Sequence, residues 1–235
     1  MRTRLLTLLA VVMLATTTRA GISYSTFANS GLIPDGSVVG SAGTASVSGY
    51  GSSLTDISVT LNISGGYNGD LYAYLSYGGV LVPLLNRVGV TATGGGNVFG
   101  YGDTGFDVTL SSAGANNIHF YGSSSPSFNG SGQLTGTWQP DGRAIDPLST
   151  PGSFDSATPV TFASFDSKNP NGTWTLFLAD LSSGGQSQLV SWELDITAVP
   201  EPVNVALGAF GVIFVMAGVG RSQAARRLVR RACAR

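Results

Sequence analysis

The chain has 235 residues with twelve Lys and Arg, thirteen Asp and Glu, one His and one Cys, which excludes an internal disulfide and any zinc site built from several His and Cys. The net charge of −1 conceals an uneven distribution: Gly21 to Pro200 holds three basic residues, Arg87, Arg143 and Lys168, against twelve acids, a net charge near −9. That segment lacks the cations that neutralise phosphates in nucleic-acid binding, and its electrostatic counterpart is a hard divalent cation.

In chain order, Arg2 and Arg4 precede an apolar run from Leu5 to Ala15, and Thr18-Arg19-Ala20 places small residues around a cut after Ala20. This is the pattern of a secretory signal peptide, residues 1–20, which assigns the body to the exported side of a membrane. Residues 21–32 form a lead-in. From residue 33 to 197 the pattern is short alternating runs broken by Gly, Ser, Asn and Asp. Leu54 to Ile63 sets Ile57, Val59, Leu61 and Ile63 on one face, the period-two signature of a half-buried strand. Leu71–Tyr77, Val80–Leu85, Asn117–Tyr121, Thr173–Ala179 and Leu189–Thr197 are further expected strands. Thr91 to Gly105 and Gly122 to Gly132 read as loops, and Gln139 to Pro159, carrying four prolines, reads as irregular surface. The class is all-β, a sandwich or barrel. Within it Trp174 and Trp192 are expected in the core. On the last strand Trp192, Leu194 and Ile196 share one face, leaving Glu193 and Asp195 on the other.

After Val199 come Pro200, Glu201 and Pro202, then Val203 to Gly220 with Asn204 its one polar residue, then six arginines including Arg226 and Arg227. A helix over 203–220 rises about 1.5 Å per residue and so reaches roughly 27 Å, enough for a thin bilayer. The arginines place the tail in the cytoplasm and the body on the far side. The two prolines hold an extended segment outside the helix, where the bonds around Glu201 are open to a processing enzyme. Physics alone fits a cleaved anchor and a permanent one equally.

The ordered Pro-Glu-Pro, apolar span and arginine cluster resemble the PEP-CTERM sorting signal, here residues 199–235. The resemblance implies a membrane protease of the exosortase class that reads Pro200, Glu201 and Pro202, with Arg226 and Arg227 in the retained tail. It also implies a Gram-negative bacterium and a body released or transferred at the cell surface. Within the body, Ile33-Pro34-Asp35, Gly69-Asp70-Leu71, Asn171-Gly172-Thr173-Trp174-Thr175-Leu176 and Trp192-Glu193-Leu194 together resemble the P domain, or Homo B domain, of kexin-like and furin-like convertases. That resemblance implies a jelly-roll-like β-sandwich over 33–197. The family has an acid where this chain has Gly185, which weakens any calcium site carried over; Asp70, Asp166 and Asp180 are the remaining candidate ligands. The expectation is that these aspartates bond turn amides and hold no specific calcium.

No enzyme is expected. His119 is the one histidine, in Asn-Asn-Ile-His-Phe-Tyr, and no Gly-x-Ser-x-Gly elbow accompanies it. The expected function is a non-enzymatic structural or interaction module of the cell surface or extracellular matrix. The alternative is a polysaccharide-binding module of the biofilm matrix using Tyr67, Tyr72, Tyr74, Tyr77 and Tyr101, and a hydrolase ranks third.

Overall fold

The computed structural model describes residues 18–24, 31–50, 53–199 and Gly211, with side chains from residue 31 onward. The signal peptide up to Thr17 and, Gly211 apart, the sorting signal from Pro200 lie outside the described residues. Nine strands build two sheets. They are β1 (Thr18–Tyr24), β2 (Ser37–Val47), β3 (Ser53–Gly65), β4 (Leu71–Tyr77), β5 (Val80–Asn86), β6 (Phe106–Ser111), β7 (Leu134–Trp138), β8 (Gly172–Asp180) and β9 (Ser187–Val199). One sheet has the order β1-β9-β3-β6-β7 and the other β2-β8-β4-β5. All pairings are antiparallel except β6 with β7. No helix among the described residues is long and apolar enough to cross a membrane.

The alternation read in the sequence decides which faces meet. Ile57, Val59, Leu61 and Ile63 of β3 and Trp192, Leu194 and Ile196 of β9 join Leu71, Ala73 and Leu75 of β4 and Trp174, Leu176 and Leu178 of β8 in one core. Removing these apolar surfaces from water is the main force holding the two sheets together. Trp174 lies at the centre of an aromatic cluster. Its ring stacks on Tyr77 at 4.1 Å and tilts against Phe165 at 5.1 Å, while its indole Nε1 donates to the Pro170 carbonyl at 2.9 Å. Trp192 is also buried.

Three local expectations change. Asn117–Tyr121 is not a strand: Ile118–Ser123 forms a 3-10 stretch whose entry is capped by the Asn117 side chain accepting from the His119 amide. That local bond offers the backbone an alternative to a ladder. Second, β1, β2, β6 and β7 join the sheets although none was expected; β1 starts at Thr18, inside the expected signal peptide, and runs through the start of the lead-in along β9. In β2 the inward positions Ser41, Gly43, Ala45 and Val47 are small, so its alternation carries little hydrophobic signal. In β7 a glycine at φ 102°, Gly136, interrupts the pattern. Third, the Gln139–Pro159 segment is not simply surface. It contains a short helix, α1 (Pro151–Ser156), and buries Asp141, Arg143 and Phe154.

Candidate functional site

Three loops meet at the end of the fold where β3 gives way to β4. The first, Gly65 to Asp70, ends in a 3-10 turn over Asn68–Asp70. It is laced to the second, residues 97–105, by backbone bonds from the Asn68 amide to the Asp103 carbonyl at 3.0 Å and from the Gly69 amide to the Tyr101 carbonyl at 2.8 Å. Buried Asn68 also donates its side-chain amide to the Gly105 carbonyl and the Tyr121 hydroxyl, and that hydroxyl donates to Asp103 at 2.8 Å. The third loop, after β8, is tied in by the Leu181 amide donating to the Asp70 carbonyl at 2.9 Å.

Glycine is required where the first two loops touch. A Cβ on Gly69 would stand 2.7 Å from the Phe99 carbonyl oxygen, and one on Gly100, at φ 84°, would stand 2.7 Å from the Gly69 Cα. Any side chain at either position would push the loops apart. Their close approach shapes a cleft of about 300 Å³ lined by Tyr67, Asp70, Arg87, Phe99, Tyr101 and Ser182. Tyr67 is 48 % exposed and Phe99 76 %. The Phe99 amide is held by the Asn97 side chain at 2.8 Å, so an Asx turn fixes the backbone that presents this ring. Arg87, itself at φ 49°, gives its Nε to the Gly69 carbonyl at 3.3 Å. Asp70 is raised above the ordinary carboxylate pKa by burial, with the Ser182 hydroxyl and the Arg87 charge offsetting part of the rise.

The acids of this end form a loose group. Asp180, on β8 opposite Leu71, is fully buried; its Oδ2 accepts from the Ser187 hydroxyl at 2.8 Å, while Oδ1 has no well-formed hydrogen bond. Burial, with the charges of Asp35 and Asp70 adding to it, pushes its pKa up to about 6 against the opposing bonds from Ser187 and Ser182. Of the three expected calcium ligands the structure brings together Asp70 and Asp180, and Asp35 joins them. Asp166 is exposed beside the Leu54 end of β3, since Ser167 and Lys168 pair with Leu54, whereas Asp180 and Ser187 sit at the Gly65 end. Asp166 and Asp180 therefore lie at opposite ends of the sandwich and cannot share one cation. No trio of carboxylates among the described residues is grouped to hold a metal ion. At Gly185, a Cβ would meet the Tyr67 ring at 3.3 Å, so the tyrosine packs where the resemblance would put an acid.

The other expected aromatics divide. Tyr72 and Tyr74 lie half-buried on the outer face of the four-stranded sheet with Phe177, whose ring stacks on Tyr74 at 4.8 Å. Tyr77 belongs to the Trp174 cluster, and Tyr101 packs on Tyr121 at 4.4 Å. The sorting residues Pro200, Glu201, Pro202, Arg226 and Arg227 lie outside the described residues.

His119 is buried and both ring nitrogens are engaged, Nδ1 with Asp141 at 2.6 Å and Nε2 with the Val90 carbonyl at 2.9 Å. Asp141 also accepts from the Asn86 and Arg143 amides and from the Arg143 guanidinium at 3.3 Å. Arg143 in turn donates to the Phe154 carbonyl and Asn117 and covers the Phe120 ring at 5.1 Å. A surface hollow of about 600 Å³ lies over this knot between Asn117, Gln139, Arg143 and Thr161. Sequence reasoning missed both the knot and Phe99, Arg87 and Ser182, because loops from distant parts of the chain bring them together.

No family model matches the chain, and none of the curated proteins matches its sequence. Among solved structures the chain aligns with the serine protease of Aeromonas sobria and with the complex of that protease and its chaperone. Each alignment has 14 % identity and a TM-score of 0.43, and covers 79 % of this chain and 28 % of the other. The chain thus spans less than a third of the length of those chains.

Proposed function

We propose that the protein is an exported, non-enzymatic module of the cell surface or extracellular matrix. In this reading its body is a jelly-roll-like β-sandwich similar to P domains, delivered through an exosortase-type system. The observation that carries the non-enzymatic reading is His119. Its ring is out of solvent with both nitrogens already bonded, so it has no free nitrogen with which to take a proton from a nucleophile. Sorting is supported from the sequence by Pro200-Glu201-Pro202, which follows directly on the last residue of β9, Val199. Proline has no N–H to extend the ladder, so the processing motif adjoins a completed body.

Intact-mass measurement on protein from its native host tests this. Loss of Met1–Ala20 and of everything after about Pro202 is expected, and Glu201→Ala should slow the second cut while leaving membrane insertion unchanged. Surface protein that retains its arginine tail would leave a plain single-pass anchor instead. The alternative, polysaccharide binding, is favoured by one specific observation, the exposed Tyr67 and Phe99 lining the same cleft as polar Asp70, Arg87 and Ser182.

A further inference from the structure

We infer that the cleft between Tyr67 and Phe99 is a subsite for a neutral polysaccharide, with the two rings taking the apolar faces of sugar units and Asp70 and Arg87 taking adjacent hydroxyls. The inference rests on the polysaccharide reading above and gives it a location and a ligand class.

Large aromatic rings left in water are costly unless something covers them, and here two exposed aromatic residues line one hollow. A sugar ring presents C–H bonds on its faces and hydroxyls around its rim, so it needs apolar surface and directional polar groups together. The cleft offers both. The Arg87 charge acts on Asp70, but the two form no ion pair within 4.0 Å among the described residues. Arg87 gives its Nε to the Gly69 carbonyl and lines the cleft. A carboxylate acceptor beside a guanidinium donor matches two neighbouring hydroxyls, one giving its proton and the other receiving one.

The cleft is prebuilt. Its walls are fixed by the backbone bonds between the loops and by the Gly69 and Gly100 contact, so little ordering entropy is lost on binding. Charge selects among polysaccharides. Asp70 and Asp35 lie at this end with buried Asp180 behind them, and Arg87 is the one cation lining the cleft on a strongly acidic body, which repels uronate or sulfated chains and leaves neutral ones. The volume suits a short stretch of chain.

The test is native affinity electrophoresis of the full-length chain in gels containing barley β-glucan, galactomannan, yeast mannan or dextran, with alginate as the anionic comparison. Retardation by at least one neutral polymer and none by alginate is expected. Phe99→Ala and Tyr67→Ala should each weaken that retardation about tenfold, Phe99→Ala with unchanged melting temperature since its ring is exposed. Asp70→Asn should weaken it without abolishing it. Retardation by a neutral polymer that survives Phe99→Ala and Tyr67→Ala but is lost in Tyr74→Ala would overturn the cleft and keep polysaccharide binding, moved to the outer sheet face. Failure of every neutral polymer to retard the wild type would overturn both, and preference for alginate would overturn the charge argument and with it the subsite.

Discussion

Two buried carboxylates sit at different places in this fold and are treated in opposite ways. Asp141 is surrounded by donors: the His119 ring, the Asn86 and Arg143 amides and the Arg143 guanidinium all reach it. Asp180 has the Ser187 hydroxyl and the Ser182 backbone on its side, no cation, and two further acids for neighbours. Burial of a charge is tolerable only when counter-charge and hydrogen bonds replace water. Asp141 therefore ties an otherwise irregular segment to β5 and to the Ile118–Ser123 turn, whereas Asp180 is retained at a cost to stability. A buried acid can be a fastening or a burden, and its partners decide which.

The comparison can be broken most directly at Asp141. Asp141→Ala leaves the Arg143 guanidinium and the His119 ring without their acceptor and should cost about 3–5 kcal/mol, the range for removing one partner of a buried pair. Trp174→Ala should cost a similar 3–5 kcal/mol through lost apolar burial. Urea unfolding of both measures the ionic knot against the aromatic cluster, and an Asp141→Ala loss under 1 kcal/mol would show that the knot contributes little.

Asp180 should respond with the opposite sign. A carboxyl whose folded pKa is raised to about 6 binds its proton more tightly folded than unfolded, so its contribution is favourable below about pH 4 and is lost as pH rises through 6. Asp180→Asn keeps an acceptor for Ser187 and should stabilise the protein at pH 7 by about 1–2 kcal/mol, with no gain at pH 4. Melts across that interval check it; equal destabilisation at both values would mean that the charged form is well accommodated.

Calcium sharpens the same contrast. With Tyr67 packed at Gly185 and Asp166 at the far end of β3, melting temperatures in millimolar calcium and in chelator should agree within about a degree. A rise of several degrees abolished by Asp70→Asn would show that a cation supplies the counter-charge that Asp180 lacks. The smallest effect is expected at Glu193, on the outer face of β9, where Glu193→Gln should stay within about 0.5 kcal/mol of wild type in the same unfolding experiment.

What could be read beforehand followed the size of the side chains. The long alternations of β3, β4, β8 and β9 carry large apolar residues on one face, and their inward positions follow from spacing alone. In β2, serine, glycine and alanine fill the same positions, and a strand of small residues looks like a loop until neighbours pair with it. The cleft was half legible. Tyr67, Asp70 and Tyr101 stand in motifs or aromatic runs, but Arg87, Phe99 and Ser182 are ordinary residues until three loops close on them. The knot was illegible, because its members are spread from Asn86 to Phe154 and only tertiary folding makes neighbours of them.

One feature of β5 bears on how such molecules behave when crowded. This strand is an edge of its sheet, the place where unpaired backbone groups invite a strand from a second copy. Here Pro83 has no N–H to offer, its carbonyl already accepts from the Gly142 amide at 2.9 Å, and the Leu84 carbonyl accepts from the Asp141 amide at 3.1 Å. The segment that carries the ionic knot thus also closes the edge, so copies brought together at high concentration are guarded there against fusing into a continuous sheet.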